Sequence, residues 1–185
     1  EISATLAFSA MQNNDKIGLI LFSDEIELFI PPKKGRSHVL RIIRELIEFK
    51  PKSKKTDIGA AFKFLSSVMK KKAITFVLSD FVADDYDQTL KIVGRKHDIT
   101  GIRIYDQQEE TIPNLGLVQM KDEETGQVQV INTASKKVRT NYAKFYKEKA
   151  TYFEESFRKS GSGALCTRVD EDYAKKLLGY FKNRG

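Results

Sequence analysis

The chain has 185 residues, 41% hydrophobic and 31% charged, with a net charge of +7 at neutral pH. This balance fits one folded domain with a full core and excludes a disordered chain. No apolar run approaches the ~20 residues that a membrane span requires, and the single cysteine, Cys166, excludes an internal disulfide. Cys166 lies in the apolar run "GALCTRV" with no histidine near it in sequence, so it reads as a buried thiol rather than a nucleophile. His38 and His97 lack a metal-binding spacing. The charge is uneven. Residues 33–72 hold 13 Lys/Arg against 3 Asp/Glu, a balance of +10, and residues 77–127 hold 5 against 11, a balance of −6.

Residues 1–13 repeat apolar positions at Ile2, Leu6, Ala7, Ala10 and Met11, which predicts a helix stopped by "NND" at 13–15. The continuous apolar run "KIGLILFS" at 16–23 predicts a strand buried on both faces. Ile26, Leu28 and Ile30 then alternate, predicting a short edge strand ended by Pro31 and Pro32. Residues 37–49 read as an amphipathic helix capped by Ser37, with Val39, Ile42, Ile43, Leu46 and Ile47 facing inward. After a polar loop at 50–55, Thr56 or Asp57 caps a helix that runs to about residue 70. Its inward positions are Ile58, Ala61, Phe62, Leu65 and Val68 or Met69.

"AITFVLSDF" at 73–81 predicts a second apolar strand ending on an acid. A helix follows over 85–97, then a third buried strand, "DITGIRIYD" at 98–106. This alternation argues for an α/β fold of three layers, with a mostly parallel sheet between helices on both faces. The pattern breaks at an inserted β-hairpin over about 115–132, with strands Leu117–Met120 and Val128–Ile131 around a loop at Asp122–Gly126. Residues 135–160 form a long helix whose stripe is Val138, Tyr142, Tyr146, Ala150, Phe153 and Phe157. The helical spacing favours core or groove packing over base stacking. "GSG" at 161–163 ends that helix, "ALCTRV" is a last strand, and a last helix has Asp170 or Asp172 near its start. With no repeat and no linker, residues 1–185 read as a single domain.

Open parallel sheets bind ligands at the carboxyl ends of their strands. The residues there are Ser23, Asp24, Ser79, Asp80, Asp106 and Asp170, with Thr56 at a loop-to-helix junction. Hydroxyls with few carboxylates suit Mg²⁺ or Mn²⁺. The sequence has no Gly-rich phosphate loop, nucleophile elbow or histidine with a triad partner, so enzyme activity is not expected. The alternative is a metal-dependent phosphoesterase using Asp80 and Asp106. Asp80, Asp84, Asp85 and Asp87 resemble a phosphatase or nuclease carboxylate cluster, but the last three lead into a helix, where acids are favoured in any case. The basic region 33–72 offers nucleic-acid binding as another alternative. Its lysines are not interleaved with aromatics, which favours a solvated surface.

"KIGLILFSD", "KTDIGAAF" and "TFVLSDF" resemble three segments of the von Willebrand factor A fold, whose metal-ion-dependent adhesion site takes oxygens from three loops. The segments "NNDKIGLILFSD", "PPKKGRSHVLRIIREL", "TDIGAAF", "VLSDF", "IRIYD", "LGLVQMKDEETGQ" and "VDEDYAKKLLGYF" resemble, in order, the bacterial domain-of-unknown-function family fifty-eight, a branch of that fold. The resemblance implies Thr56 and Asp80 as metal-site residues, with Asp57, Ser79, Asp24 and Asp106 in support. It implies a protein–protein interaction module, a cytoplasmic bacterial partner or adaptor of a MoxR-type AAA+ ATPase in protein assembly or maturation, with membrane association only through partners. The family's Asp-x-Ser-x-Ser motif and first strand are not in this sequence and would lie upstream of Glu1. The intact protein is therefore expected to use Mg²⁺ or Mn²⁺, and this chain to bind it weakly or not at all, leaving Thr56 as a helix cap. The absent central strand predicts a rearranged sheet or a strand-exchanged homo-oligomer.

Overall fold

The computed structural model describes residues 1–108, 110–121 and 126–182. The elements run α1 (Ile2–Gln12), β1 (Ile17–Phe22), β2 (Ile26–Lys33), α2 (Arg36–Glu48), α3 (Ile58–Val68), β3 (Ile74–Ser79) and α4 (Asp87–Gly94). They continue as β4 (Asp98–Tyr105), β5 (Leu117–Lys121), β6 (Val128–Asn132), α5 (Lys136–Ser160), β7 (Gly163–Arg168) and α6 (Tyr173–Lys182). Strands β3, β4 and β7 form a parallel sheet with β4 in the middle, and β1–β2 and β5–β6 are separate antiparallel pairs. The expected hairpin loop at Asp122–Gly126 lies outside the described residues except for Gly126.

The parallel sheet is the middle of three layers. On one face, Val77 and Ile99 pack against Ile58, Phe62 and Leu65 of α3, Leu90 and Val93 of α4, and Phe153 and Phe157 of α5. On the other, Ile102 packs against Ile2 of α1 and Leu177 of α6. Strand pleating explains the split, since alternate residues of β4 point to opposite faces. Gly101 is required by this packing, because a Cβ there would lie 2.5 Å from the Phe157 ring and 2.7 Å from Phe153. Gly163 is required on the opposite face, where a Cβ would collide with the Tyr180 hydroxyl that meets Thr100 at 3.2 Å.

β4 is the fully buried strand the sequence predicts, with residues 99–103 all inaccessible. β1 is not buried on both faces, because none of its residues is fully covered. In β3 only Val77 is buried. The reason is topological: among the described residues, β1 pairs only with β2, and β3 only with β4. The sheet therefore stands in two pieces in the single chain, bridged by α3. Ile58, Phe62 and Leu65 share one core cluster with Val77 of β3, and Ile20 and Phe22 of β1 pack against that cluster.

Several local expectations are corrected. β2 does not end at the prolines but runs through Pro31 and Pro32 to Lys33, which an edge strand tolerates because its outer N–H groups need no partner. Gly35, not Ser37, is the N-cap of α2, and Ile47 of its supposed inner stripe is 78% exposed. Along α5 only the C-terminal end of the stripe, Phe153 and Phe157, is buried. Tyr142 and Tyr146 are half-buried and stack on each other at 5.0 Å. Gly161 closes α5 at φ +71°, the left-handed cap position glycine favours.

Candidate functional site

The residues singled out at the strand ends fall into two groups. The first surrounds the end of β1. Ser23 is buried, and its carbonyl accepts the Asp57 N–H at 2.9 Å, which ties the Thr56–Asp57 loop to β1. Phe22, Ser23, Pro51, Ser53, Lys54, Lys55 and Thr56 line a shallow cleft there. Asp24 accepts from the Ser23 hydroxyl at 3.4 Å, and a hydrogen bond from the Ser53 side chain is the largest effect holding its carboxyl below the usual range. Glu27 of β2 accepts the Lys52 N–H at 3.0 Å and the Ser53 N–H at 3.3 Å, fixing the lysine-rich loop.

The α3 cap is Asp57 and not Thr56. Its Oδ1 accepts the Ala60 N–H at 2.8 Å. The expectation that Thr56 serves as the cap is therefore overturned. Asp57 has the extended backbone and the reach to the third helical N–H that a cap needs, and Thr56 sits one residue too early.

The second group surrounds the end of β3. Asp80 is exposed, and its Oδ1 accepts the Val82 N–H at 3.1 Å and the Ser79 hydroxyl at 3.3 Å. The Ser79 Oγ accepts the Phe81 N–H at 3.1 Å. Phe81 has φ +55°, a conformation a bulky side chain adopts only under compensation. The compensation is burial: its ring lies 4.4 Å from Phe153 and 5.5 Å from Phe157. Behind the turn, Arg103 donates from Nε to the Asp80 carbonyl at 3.2 Å and from Nη2 to Glu110 at 2.6 Å.

The two groups meet through the first turn of α3. A Cβ at Gly59 would lie 3.2 Å from Asp57 Oδ1, 3.7 Å from the Asp85 carbonyl and 3.8 Å from Thr89 Oγ1, so the loop after β3 comes against the start of α3. Asp106 and Asp170 are engaged elsewhere. Asp106 accepts the Gln108 N–H at 2.8 Å within its own turn, and Asp170 pairs with Arg168 at 3.0 Å. Asp84 pairs with Lys149 of α5. Hydroxyl and carboxylate oxygens of this kind suit a hard divalent cation. Among the described residues, however, no three of His, Cys, Asp and Glu gather around one point. Thr56 and Asp80 therefore offer one hydroxyl and one carboxylate, fewer ligands than a hard divalent cation takes.

Cys166 is half-buried rather than fully buried, and that partial burial is the largest cause raising its pKa. Arg103, Phe81, Ser53 and Glu27 were not singled out from the sequence. Arg103 carried a signal: a charge inside "GIRIY", flanked by isoleucines in a buried strand, must find a partner.

The fold and its strand ends define a three-layer α/β domain that presents hydroxyls and single carboxylates on a rim. The chain belongs to the family described as protein of unknown function DUF58, whose model matches residues 1–152. Uncharacterized proteins of Mycobacterium tuberculosis and Mycobacterium bovis are 19% identical over 185 residues, covering 98% of this chain. The chain spans 58% of the length of these relatives. An uncharacterized Mycobacterium avium protein is 22% identical over 158 residues, covering 84% of this chain and 93% of its own.

Two solved structures share the fold. The conserved hypothetical protein BatB of Bacteroides thetaiotaomicron is 17% identical with a TM-score of 0.55, covering 99% of this chain and 86% of its own. An aerotolerance-related membrane protein of Bacteroides fragilis, crystallised with serine substitutions, is 18% identical with a TM-score of 0.55, covering 99% and 87%. Among the described residues, no helix is long and apolar enough to cross a membrane.

Proposed function

We propose that this chain is a protein–protein interaction module that acts without turnover, as a partner or adaptor of a MoxR-type AAA+ ATPase in protein assembly or maturation. The observation that carries the reading is the pair of pinned strand-end segments. The Thr56 loop is tied to Ser23, and the Asp80 turn is fixed by its own hydrogen bonds and by Arg103, with α3 between them. Rigid presentation of a hydroxyl and a carboxylate on a rim suits capture of a protein ligand better than bond-breaking chemistry. Mg²⁺ or Mn²⁺ would supply a positive centre there for a partner's carboxylate. Thr56 would offer its hydroxyl and Asp80 its carboxylate, while Asp57 and Ser79 hold the two loops in shape and Asp24 and Ser53 support the Thr56 side. The ATPase itself rests on the family resemblance.

The open edges of β1 and β3 support a further element of the reading, strand exchange between copies. Each edge lacks a described neighbour and invites an added strand. The test is fluorescence anisotropy of the chain against a purified MoxR-type ATPase, with and without Mg²⁺ and with Thr56→Val and Asp80→Asn. The reading expects Asp80→Asn, which removes a charged contact, to weaken binding by about tenfold, and Thr56→Val, which removes a neutral hydroxyl, to weaken it less. Equal affinity in both variants would remove the strand ends as the docking site, and no binding at all would remove the ATPase.

A further inference from the structure

Arg103 is a charged residue in the middle of the most buried strand, with its side chain 4% exposed. Burying a guanidinium is costly, and a well-packed apolar residue serves stability as well or better. Its presence in that strand therefore asks what the geometry gains. The fork reaches three places at once. Nε donates to the Asp80 carbonyl at 3.2 Å, Nη2 donates to Glu110 at 2.6 Å, and the guanidinium stacks over Tyr105 at 4.6 Å from the ring centre. The first contact ends on the residue that opens the turn after β3, immediately before strained Phe81. The second ends in the segment between β4 and the β5–β6 hairpin.

We infer that Arg103 is a positioning residue: it holds the backbone of the Asp80 turn so that the carboxylate stands at a fixed place on the strand-end rim, with Glu110 as its counter-charge. The inference rests on the reading of Asp80 as a binding carboxylate. Without the clamp, the left-handed Phe81 has a relaxed extended conformation available, and adopting it would swing Asp80 away from the rim. Phe81 packing alone does not prevent this, because the ring contacts fix the side chain while the Arg103 bond fixes the peptide. A lysine keeps the charge and most of the stem but cannot donate to Asp80 and Glu110 from one planar group.

Native-state amide hydrogen exchange tests this on the whole chain, using Arg103→Lys, Arg103→Met and Glu110→Gln. The expected result in Arg103→Lys is about tenfold faster exchange at Phe81 and Val82, with β4 and β7 ladder amides unchanged, the mark of local rather than global opening. Glu110→Gln, which leaves the Nε bond in place, is expected to leave Val82 within about twofold of the parent. Should Arg103→Met not fold, Arg103→Lys decides alone. Unchanged exchange at Phe81 and Val82 in Arg103→Lys, or equal acceleration of all sheet amides, overturns the positioning role. The binding reading fails separately: if Arg103→Lys loosens the turn while Asp80→Asn binds the ATPase as the parent does, positioning stands and the strand-end function falls.

Discussion

Gly101→Ala probes the packing on which the Asp80 turn depends. An alanine Cβ in the middle of β4 would sit 2.5 and 2.6 Å from two carbons of Phe157 and 2.7 Å from one of Phe153. Carbon pairs attract best at about 3.5–4.0 Å, so the rings must retreat by roughly 1 Å. They have little room. Their centres are 4.8 Å apart, Phe81 lies 4.4 Å behind Phe153, and all three are fully buried. Overpacking of this kind costs about 1–3 kcal/mol, offset by roughly 0.5–1 kcal/mol because alanine loses less backbone freedom than glycine. The net loss spans about 0–2.5 kcal/mol, and for a chain of this length each kcal/mol lowers the thermal midpoint by about 2–4 °C. Urea and thermal unfolding followed by far-ultraviolet circular dichroism measure it. Phe157→Leu alone leaves a cavity, but in the double variant the alanine methyl occupies part of that space. A favourable coupling of about 1 kcal/mol is therefore expected in the double-mutant cycle. A Gly101→Ala protein more stable than the parent, or strictly additive losses in the cycle, would refute the packing argument.

Four further outcomes follow from the same geometry. Asp57→Ala removes the acceptor of the Ala60 N–H and is expected to cost about 1 kcal/mol, whereas Thr56→Val, which leaves the cap intact, stays within about 0.5 kcal/mol in the same denaturant titration. His97 is held below its ordinary pKa first by burial and then by Lys96, and its Nδ1 accepts the Ala73 N–H at 3.3 Å, a bond that protonation would break. Because its folded-state value is the lower one, its contribution is complete above about pH 6.5 and is lost as pH falls through the folded-state pKa. His97→Asn should therefore flatten the acid-side fall in urea midpoint, and an identical pH slope in parent and variant would contradict this. Isothermal calorimetry with Mg²⁺ or Mn²⁺ is expected to give no micromolar binding, since Thr56 and Asp80 offer few ligands, and a micromolar isotherm would show an ion cage that these residues do not make alone. Sedimentation equilibrium is expected to show concentration-dependent self-association through the open β1 and β3 edges, and a strict monomer across the micromolar range would argue against strand exchange.

How much of this was legible in the sequence depends on whether a feature is set locally. Element types were legible because periodicity and length report local geometry, and β4, the hairpin strands and α5 fall close to their expected ranges. Burial was less legible, because it depends on neighbours. "IGLILF" has the apolar content of an interior strand, yet it lies half-covered since, among the described residues, only β2 pairs with it. Ile47 matched the inner stripe of α2 by spacing and is nonetheless 78% exposed, while Leu46 beside it is half-buried. At the candidate site, Thr56, Asp57, Ser79 and Asp80 stood out from sequence as strand-end and cap residues. Of the residues that hold them, Arg103 showed only as a charge in a buried strand with no partner named by spacing, and Glu27 did not show at all, because both act through long-range contacts to backbone atoms.

The four sheet edges of the α/β core differ in a way that bears on its assembly. The outer edges belong to β2, which carries Glu27, Pro31, Pro32 and Lys33, and to β7, which ends in Arg168. Prolines and charges on an edge discourage another chain from pairing with it. The edges of β1 and β3 have no such protection: "IGLILF" and "ITFVLS" contain neither a proline nor a charged residue. An unprotected apolar edge is a hazard when it faces water and an asset when it has a partner, and selection against aggregation removes it in the first case. Both strands also contribute to the single cluster that α3 covers. β1 and β3 thus differ from β2 and β7 in carrying no proline and no charge along the strand. The candidate site lies at the ends of those two strands, where Ser23 accepts the Asp57 N–H and Asp80 accepts the Val82 N–H.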